Sequence, residues 1–393
     1  MTATEIGTVR RWSMLALALA STMCANVFIN GVAFLIPTLH TERGLDLGLA
    51  GLMSSMPSFG MVVTLIAWGY VVDRIGERIV LTVGSALTAA AALGAALVDS
   101  LPAVGALLFL GGMAAASSNS ASGRLVVGWF PPHQRGLVMG VRQTAVPLGV
   151  GLGALVIPRL AAGQGVSAAL AFPAVVCAVS AVACLLGVLD PPRPPRAQAP
   201  AEALANPYRG SAVLWRIHAA SVLLVVPQSV MWTFTLVWLI ADRHWSAASA
   251  GVLVTIAQIL GAGGRIAAGW LSDRIGERLR PIRWIAAAAA ATMALLALTD
   301  ALGSPVSVGL MLIASVITVS DNGLAFTAIA EISGPFWSGR ALGAQNTSQH
   351  LASAIAAPTF GTMIGAAGYP IAFAVCAVLP VVALPLVPAD TEA

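Results

Sequence analysis

Few side chains in this 393-residue sequence can carry charge inside an apolar run, and those few are where chemistry is expected. Arg265 stands eight residues before Asp273, about two helical turns in from the end of a membrane-length run. An ionised group there costs about 2.5–3.5 kcal/mol on insertion scales, so it is expected to face a wet cavity. A guanidinium pairs bidentately with a carboxylate or another planar oxyanion, which makes Arg265 a candidate for holding an anion. The alternative is a snorkelling side chain, or a structural partner for a backbone carbonyl or Asp273. Arg142 lies seven residues after Arg135, and Gln143 adjoins it. In an antiparallel hairpin turning near Pro131-Pro132, Arg124 would stand at about the same depth. Two facing cations repel strongly in a dry interior, so either an anion sits between them or one reaches the interface. The expectation is Arg142 towards the cavity and Arg124 at the interface.

Asp321-Asn322 and Gln349-His350 count equal distances from the Pro335 to Trp337 turn, so they could meet. An Asp321/His350 pair within hydrogen-bond reach could take up and release a proton near neutral pH. The same residues could equally be structural glue between membrane helices. Asn26, Asn30, Gln228, Trp232 and Gln258 are further candidates for lining a cavity. Trp12, Trp129, Trp215 and Trp245 fall near span borders and read as interfacial anchors.

The elements that must position these groups follow from composition. Apolar residues make up 58% of the chain, charged residues 9%, and the mean hydropathy is +0.88. Soluble domains carry about 25% charged residues, so this is an integral membrane protein. At roughly 20 residues per crossing, the length accommodates about twelve spans and no sizeable soluble domain. The expected spans are Trp12–Leu39 (with Pro37 near its outer end), Leu47–Val72, Ile79–Val98, a small-residue-rich span ending near Trp129, Leu137–Ile157 and Val166–Leu189. After a Pro/Ala-rich connector come Trp215–Ile240, Ala247–Ser272, Ile282–Leu298, Pro305–Thr327, Ala341–Ile364 and Tyr369–Val387. The fold class is therefore all-α, with an N-terminal six-helix bundle over 1–189, a linker over 190–214 and a C-terminal bundle over 215–393. Proline-rich sequence such as Asp190 to Arg196 predicts an extended, poorly packing linker.

The two halves repeat. Gly69-Tyr70-Val71-Val72-Asp73-Arg74-Ile75-Gly76-Glu77-Arg78 returns 200 residues later as Gly269-Trp270-Leu271-Ser272-Asp273-Arg274-Ile275-Gly276-Glu277-Arg278. Each copy ends one apolar run and begins the next, where its carboxylates and guanidiniums can pair across helix ends and hold neighbouring helices in one of two packings. Arg135-Gly136 opening the fifth span has a counterpart in Arg340-Ala341 opening the eleventh. All 20 basic residues are arginine. Fourteen of them fall on the side of the N-terminus and only Arg43, Arg159 and Arg243 on the other, which puts both termini in the cytoplasm. Arg10-Arg11 before Leu15 to Ala20, with Ala18-Leu19-Ala20 behind, has the look of a secretory signal. The apolar stretch runs on to Leu39, beyond a signal core of about 7–15 residues, so an uncleaved first span is expected.

Twelve spans, a central linker and the duplicated loop together resemble the major facilitator superfamily, over nearly the whole chain. The superfamily's loop pattern, Gly-x-x-x-Asp-Arg-x-Gly-x-Arg, is met at Gly69, Asp73, Arg74, Gly76 and Arg78, and again at Gly269, Asp273, Arg274, Gly276 and Arg278. The resemblance implies two bundles rocking about a midplane cavity, in the mode called alternating access. It also implies that the first and seventh spans help form that cavity. Arg265 is similar to the arginine that monocarboxylate, oxalate/formate and nitrate carriers place in the eighth span. Nitrate carriers also carry an arginine in the second span, where Leu65 stands here, and a glycine-asparagine signature in the fifth that is missing here. Drug and sugar members often have an arginine early in the fourth span, which here reads Leu107 to Gly112. Val146-Pro147-Leu148-Gly149-Val150-Gly151 only approximates the Gly-Pro-x-x-Gly-Gly element of drug/proton antiporters.

The expected function is secondary active transport of a small organic anion, a carboxylate, by alternating access with proton coupling or exchange. Proton-driven efflux of a drug-like amphiphile is the alternative. No paired catalytic constellation or phosphate loop argues for an enzyme, and no appended signalling domain argues for a receptor. Cys24, Cys177, Cys184 and Cys376 all sit in apolar runs without metal-ligand spacing, so neither metal nor cofactor is expected. The net charge of +4 is spread over short loops and not gathered on one basic face, which excludes a nucleic-acid partner. The expected partners are a small solute, protons and the bilayer, and the expected location is the plasma (bacterial inner) membrane as a multi-pass monomer.

Overall fold

The computed structural model of the chain describes residues 6–36, 47–192 and 196–390; Pro37, Leu39, Arg43, Arg193 and the last three residues lie outside them. Every regular element among the described residues is helical. Nine helices among these residues are long and apolar enough to cross a membrane, and Tyr369–Ala383 is a shorter apolar helix. One of the nine, Pro132–Gly187, is interrupted at Gln143-Thr144 and again at Gly165, whose φ of +86° only glycine adopts readily.

The helix ends at the duplicated loop follow from its glycines. Gly76 and Gly276 have φ of +100° and +77°, so each loop reverses direction where a side chain would be strained. Leu47–Ile75 and Ala247–Ile275 end one residue before these glycines, and Glu77–Leu97 and Leu279–Ala301 begin one and three residues after them. Two helices break midway, Leu101–Trp129 at Ala116 and Val306–Ser333 across residues 318–321. The second continues to Ser333, beyond the expected end at Thr327, and so carries Glu331 on its last turn.

By their contacts the helices form two compact units. The first comprises Met1–Phe130, Thr144–Ala205 and Ser333–Thr347; the second comprises Pro131–Gln143, Asn206–Ile332 and Ser348–Ala393. In the first unit Ala145–Gly187 packs on Thr8–Gly31 and Glu77–Leu97, around a core that includes Phe28, Leu65, Leu108 and Ile157. In the second, Ala247–Ile275 packs on Pro132–Arg142, Leu279–Ala301 packs on Tyr369–Ala383, and the core includes Met231, Trp238, Met293 and Phe373.

The linker packs more than its prolines predict. The carbonyl of Leu204 accepts a 3.1 Å hydrogen bond from Trp337 Nε1, and Tyr208 stacks on His218 with its hydroxyl 2.9 Å from Nε2. Burial pushes the Tyr208 phenol up to about 12, so it remains a neutral hydroxyl. The reason is local: past the prolines come aromatic and apolar residues with neighbouring helix ends to pack on. Trp129 also departs from expectation. It is fully buried, its Nε1 donating to the Leu189 carbonyl at 2.9 Å, whereas Trp12 and Trp215 are exposed as interfacial anchors would be.

Candidate functional site

The recess that holds Arg265 is built by three helices of the second unit. Gln228, Trp232 and Thr235 sit four and seven residues apart on one face of Val213–Val237, and Gln258 and Arg265 sit seven apart on Ala247–Ile275. Ser315 and Thr318 close the recess from the third helix, just before its break. Arg265 is 5% exposed. Its Nε donates to the Val319 carbonyl at 3.3 Å and its Nη1 to the Gln143 carbonyl at 3.4 Å, both long bonds. The Gln143 carbonyl is available because Pro147, four residues on, has no N–H to offer it. The remaining nitrogen, Nη2, has no partner among the described residues. Asp321 lies within electrostatic range of Arg265, yet no ion pair forms between them at 4.0 Å or less.

The other expected residues divide. Arg142 is 2% exposed but is not on the recess wall; its Nη1 donates to Gln143 Oε1 at 2.7 Å and its guanidinium lies 5.6 Å from the Phe326 ring. Asn26 and Asn30, in the first unit, bond along their own helix to Thr22 and Asn26. Arg124 is not interfacial: it is buried, with Nη1 2.8 Å from the Val72 carbonyl and 3.1 Å from Asp73, Nη2 2.7 Å from the Pro335 carbonyl, and Nε 3.3 Å from Glu77. Asp321 and His350 share no hydrogen bond. Their neighbours meet instead, Gln349 Nε2 donating to Asn322 Oδ1 at 3.0 Å and Asn322 Nδ2 donating to Gln228 Oε1 at 2.8 Å. The break at 318–321 turns Asn322, not Asp321, towards both amides.

The duplicated loops form two locks. Asp73 accepts from the backbone N–H of Gly339 and Arg340, at 2.8 and 3.1 Å, at the start of Ser338–Ala367. Asp273 accepts from Gly136 and Leu137, at 2.9 and 2.8 Å, the fifth and sixth residues of Pro132–Arg142. At Gly339 and Arg340, the second and third residues of their helix, the carboxylate satisfies orphan donors and meets the positive end of the dipole. The loop glycines allow this approach: a Cβ on Gly69 would strike the Gly339 backbone, and one on Gly269 the Gly136 backbone. These pairings make Gly136 the counterpart of Gly339 in the repeat. The expected equivalence of Arg135 with Arg340 is thus off by two residues, and Arg340 takes the place of Leu137.

Residues 17–357 match the sequence profile of the Major Facilitator Superfamily. The chain belongs to this superfamily. It is 61% identical over 378 residues to an uncharacterised MFS-type transporter of Mycobacterium tuberculosis, covering 96% of this chain and 85% of that one. It is 24% identical over 258 residues to a hexuronate transporter of Bacillus subtilis, covering 63% and 61%. Its fold superimposes with a TM-score of 0.74 on the solved structure of a proton:xylose symporter of the superfamily, at 16% identity and with 97% and 95% of the two chains covered. The protein is an MFS transporter, a multi-pass membrane protein and not an enzyme.

Sequence reasoning missed several members of these sites. Thr235, Ser315 and Thr318 line the recess but look like ordinary helix residues in isolation. Glu331 pairs with Arg135 at 3.2 Å and Arg278 at 3.1 Å, and was hidden because its helix was expected to end early. Gly136/Gly140 and Gly339/Gly343 are glycine pairs four apart, a spacing that marks close helix approach and could have been read.

Proposed function

We propose that this transporter carries a small organic carboxylate across the plasma membrane, with Arg265 as the group that holds the anion. The observation that carries this reading is the Nη2 edge of Arg265, a buried cation without an ion-pair partner on the wall of a polar recess. An anion there would gain a charge-assisted bond that no protein group supplies. The hexuronate transporter among the relatives carries a carboxylate sugar, in keeping with this reading. The Gln143 carbonyl supports Arg265, and Arg142 holds the Gln143 side chain through its Oε1. Gln228, Trp232 and Gln258 line the recess, and Asn26 and Asn30 are retained as solute-binding candidates of the first unit.

In this scheme twelve spans form two pseudo-symmetric bundles with cytoplasmic termini. The two loop locks close the cytoplasmic side, and their opening releases solute to the cell interior. Asp321 is 2% exposed, within electrostatic range of Arg265, and free of an ion pair, so it is the principal proton-coupling group, with His350 the second. Uptake of labelled monocarboxylates into proteoliposomes, with and without a pH gradient, tests the scheme. Uptake that a gradient stimulates, and that Asp321→Asn uncouples, is expected. Movement of amphiphilic cations with no carboxylate uptake would replace it with drug export.

A further inference from the structure

Resting on the anion reading of Arg265, the geometry points to a polyhydroxylated carboxylate, and not a simple aliphatic one, as the solute of this recess. The recess is set with hydrogen-bonding groups that the protein leaves unused. Thr235 is 6% exposed, and its Oγ1 has no partner among the described residues. Serines and threonines on the surrounding helices settle this locally by donating to the carbonyl four residues back. Ser229 does so to Val225, Thr255 to Gly251, Ser315 to Met311 and Thr318 to Ala314. Thr235 does not, so a buried hydroxyl on the wall of the recess is left for an occupant, and such a group is costly to leave unmade.

The amides extend the pattern. Gln349 donates to Asn322, and Asn322 donates to Gln228 Oε1, which fixes the Gln228 amide with its NH₂ group unspent. Gln258 and the Trp232 indole N–H have no hydrogen-bond partner among the described residues, although both line the recess. From Gln228 to Thr235 is seven residues, about 10 Å of helix axis, and Gln258 to Arg265 spans the same rise. An occupant anchored at Arg265 therefore meets a succession of donors and one hydroxyl along a length comparable to a six-carbon chain. Alkyl carbons there would leave every one of these groups unpaired, whereas successive hydroxyls, each both donor and acceptor, would satisfy them.

The test compares D-gluconate with hexanoate, which share carbon number and charge and differ in hydroxyls, by proteoliposome uptake and by competition. Wild-type protein should take up gluconate at least 10-fold better. Thr235→Val, which keeps the side-chain shape, and Gln258→Leu should each lower gluconate uptake about 5-fold or more without lowering hexanoate uptake. Arg265→Gln should abolish both. Equal or preferred hexanoate uptake that still depends on Arg265 would overturn this inference and leave the carboxylate reading standing. Uptake of either acid that persists unchanged in Arg265→Gln would overturn the carboxylate reading itself.

Discussion

The two locks carry the same six residues, Asp-Arg-Ile-Gly-Glu-Arg, and build different networks from them. In both, the aspartate accepts from two successive backbone N–H groups of a facing helix, and in both the first arginine stacks on an aromatic four residues back, Arg74 on Tyr70 at 4.6 Å and Arg274 on Trp270 at 5.4 Å. The last arginine diverges. Arg278 reaches Asp273 at 2.6 Å and Glu331 at 3.1 Å, while Arg78 turns away to the Leu185 carbonyl at 2.8 Å. The first lock recruits Arg124 in its stead, a cation from the neighbouring helix where the second lock has the anion Glu331. Burial differs too. The Arg124–Asp73 side chains are 4% and 0% exposed, whereas Arg278 and Glu331 face a cavity of about 550 Å³ with Arg135, His133 and Asp390. Burial works against the Arg278 charge, but hydrogen bonds and charge from Glu331, then Asp273, outweigh it and hold its pKa above the usual arginine value. A repeated motif thus keeps the aspartate's pair of backbone bonds and leaves its charge balance to whichever neighbour the half supplies.

Substitutions should break the comparison in a set order, read as thermal unfolding of the purified protein in detergent. Arg124→Ala takes a buried cation from Glu77 and from Asp73, which keeps Arg340 at 3.1 Å, in a dry interior and should cost about 3–5 kcal/mol, the largest effect. Arg278→Ala removes charge-assisted bonds from groups that keep Arg135, backbone N–H groups and water, so about 1.5–3 kcal/mol is expected. If Arg278→Ala proved the costlier of the two, the contrast between a dry and a wet lock would fail. Gly69→Ala and Gly269→Ala should resemble each other at about 1–3 kcal/mol, because each drives a methyl into a facing backbone. Arg78→Ala loses one bond to a carbonyl, about 0.5–1.5 kcal/mol, and should fall below Arg278→Ala although the motif position is the same. Arg135→Ala removes a partly exposed pair, worth about 0–1 kcal/mol and fading with added salt.

Much of the scaffold was legible because its signals are local. Apolar runs, the charged loop motif and its 200-residue repeat need no tertiary knowledge, and helix ends at Ile75, Ile275 and Gly187 fall within a few residues of expectation. The correspondence of Pro132–Arg142 with Ser338–Ala367 in the repeat was not legible from arginines, because it is set by which backbone N–H groups the aspartates bind. The glycines Gly136 and Gly339 mark it, and the arginines beside them do not. At the candidate site, Arg265 stood out because charge in an apolar run is rare. Thr235 did not, since a threonine in a membrane helix signals nothing until its usual carbonyl partner is seen to be unused. Asp321 and His350 were placed together by counting residues along ideal helices, and the break at 318–321 rotates that count away, so Asn322 meets Gln349.

Equilibrium binding of a labelled carboxylate to the detergent-purified protein, wild type beside Arg265→Gln, tests the central claim most directly. The account predicts saturable binding to the wild type that carboxylates compete for, and at least a 10-fold loss in a variant whose unfolding temperature is little changed. Undiminished carboxylate binding by a folded Arg265→Gln protein would contradict it.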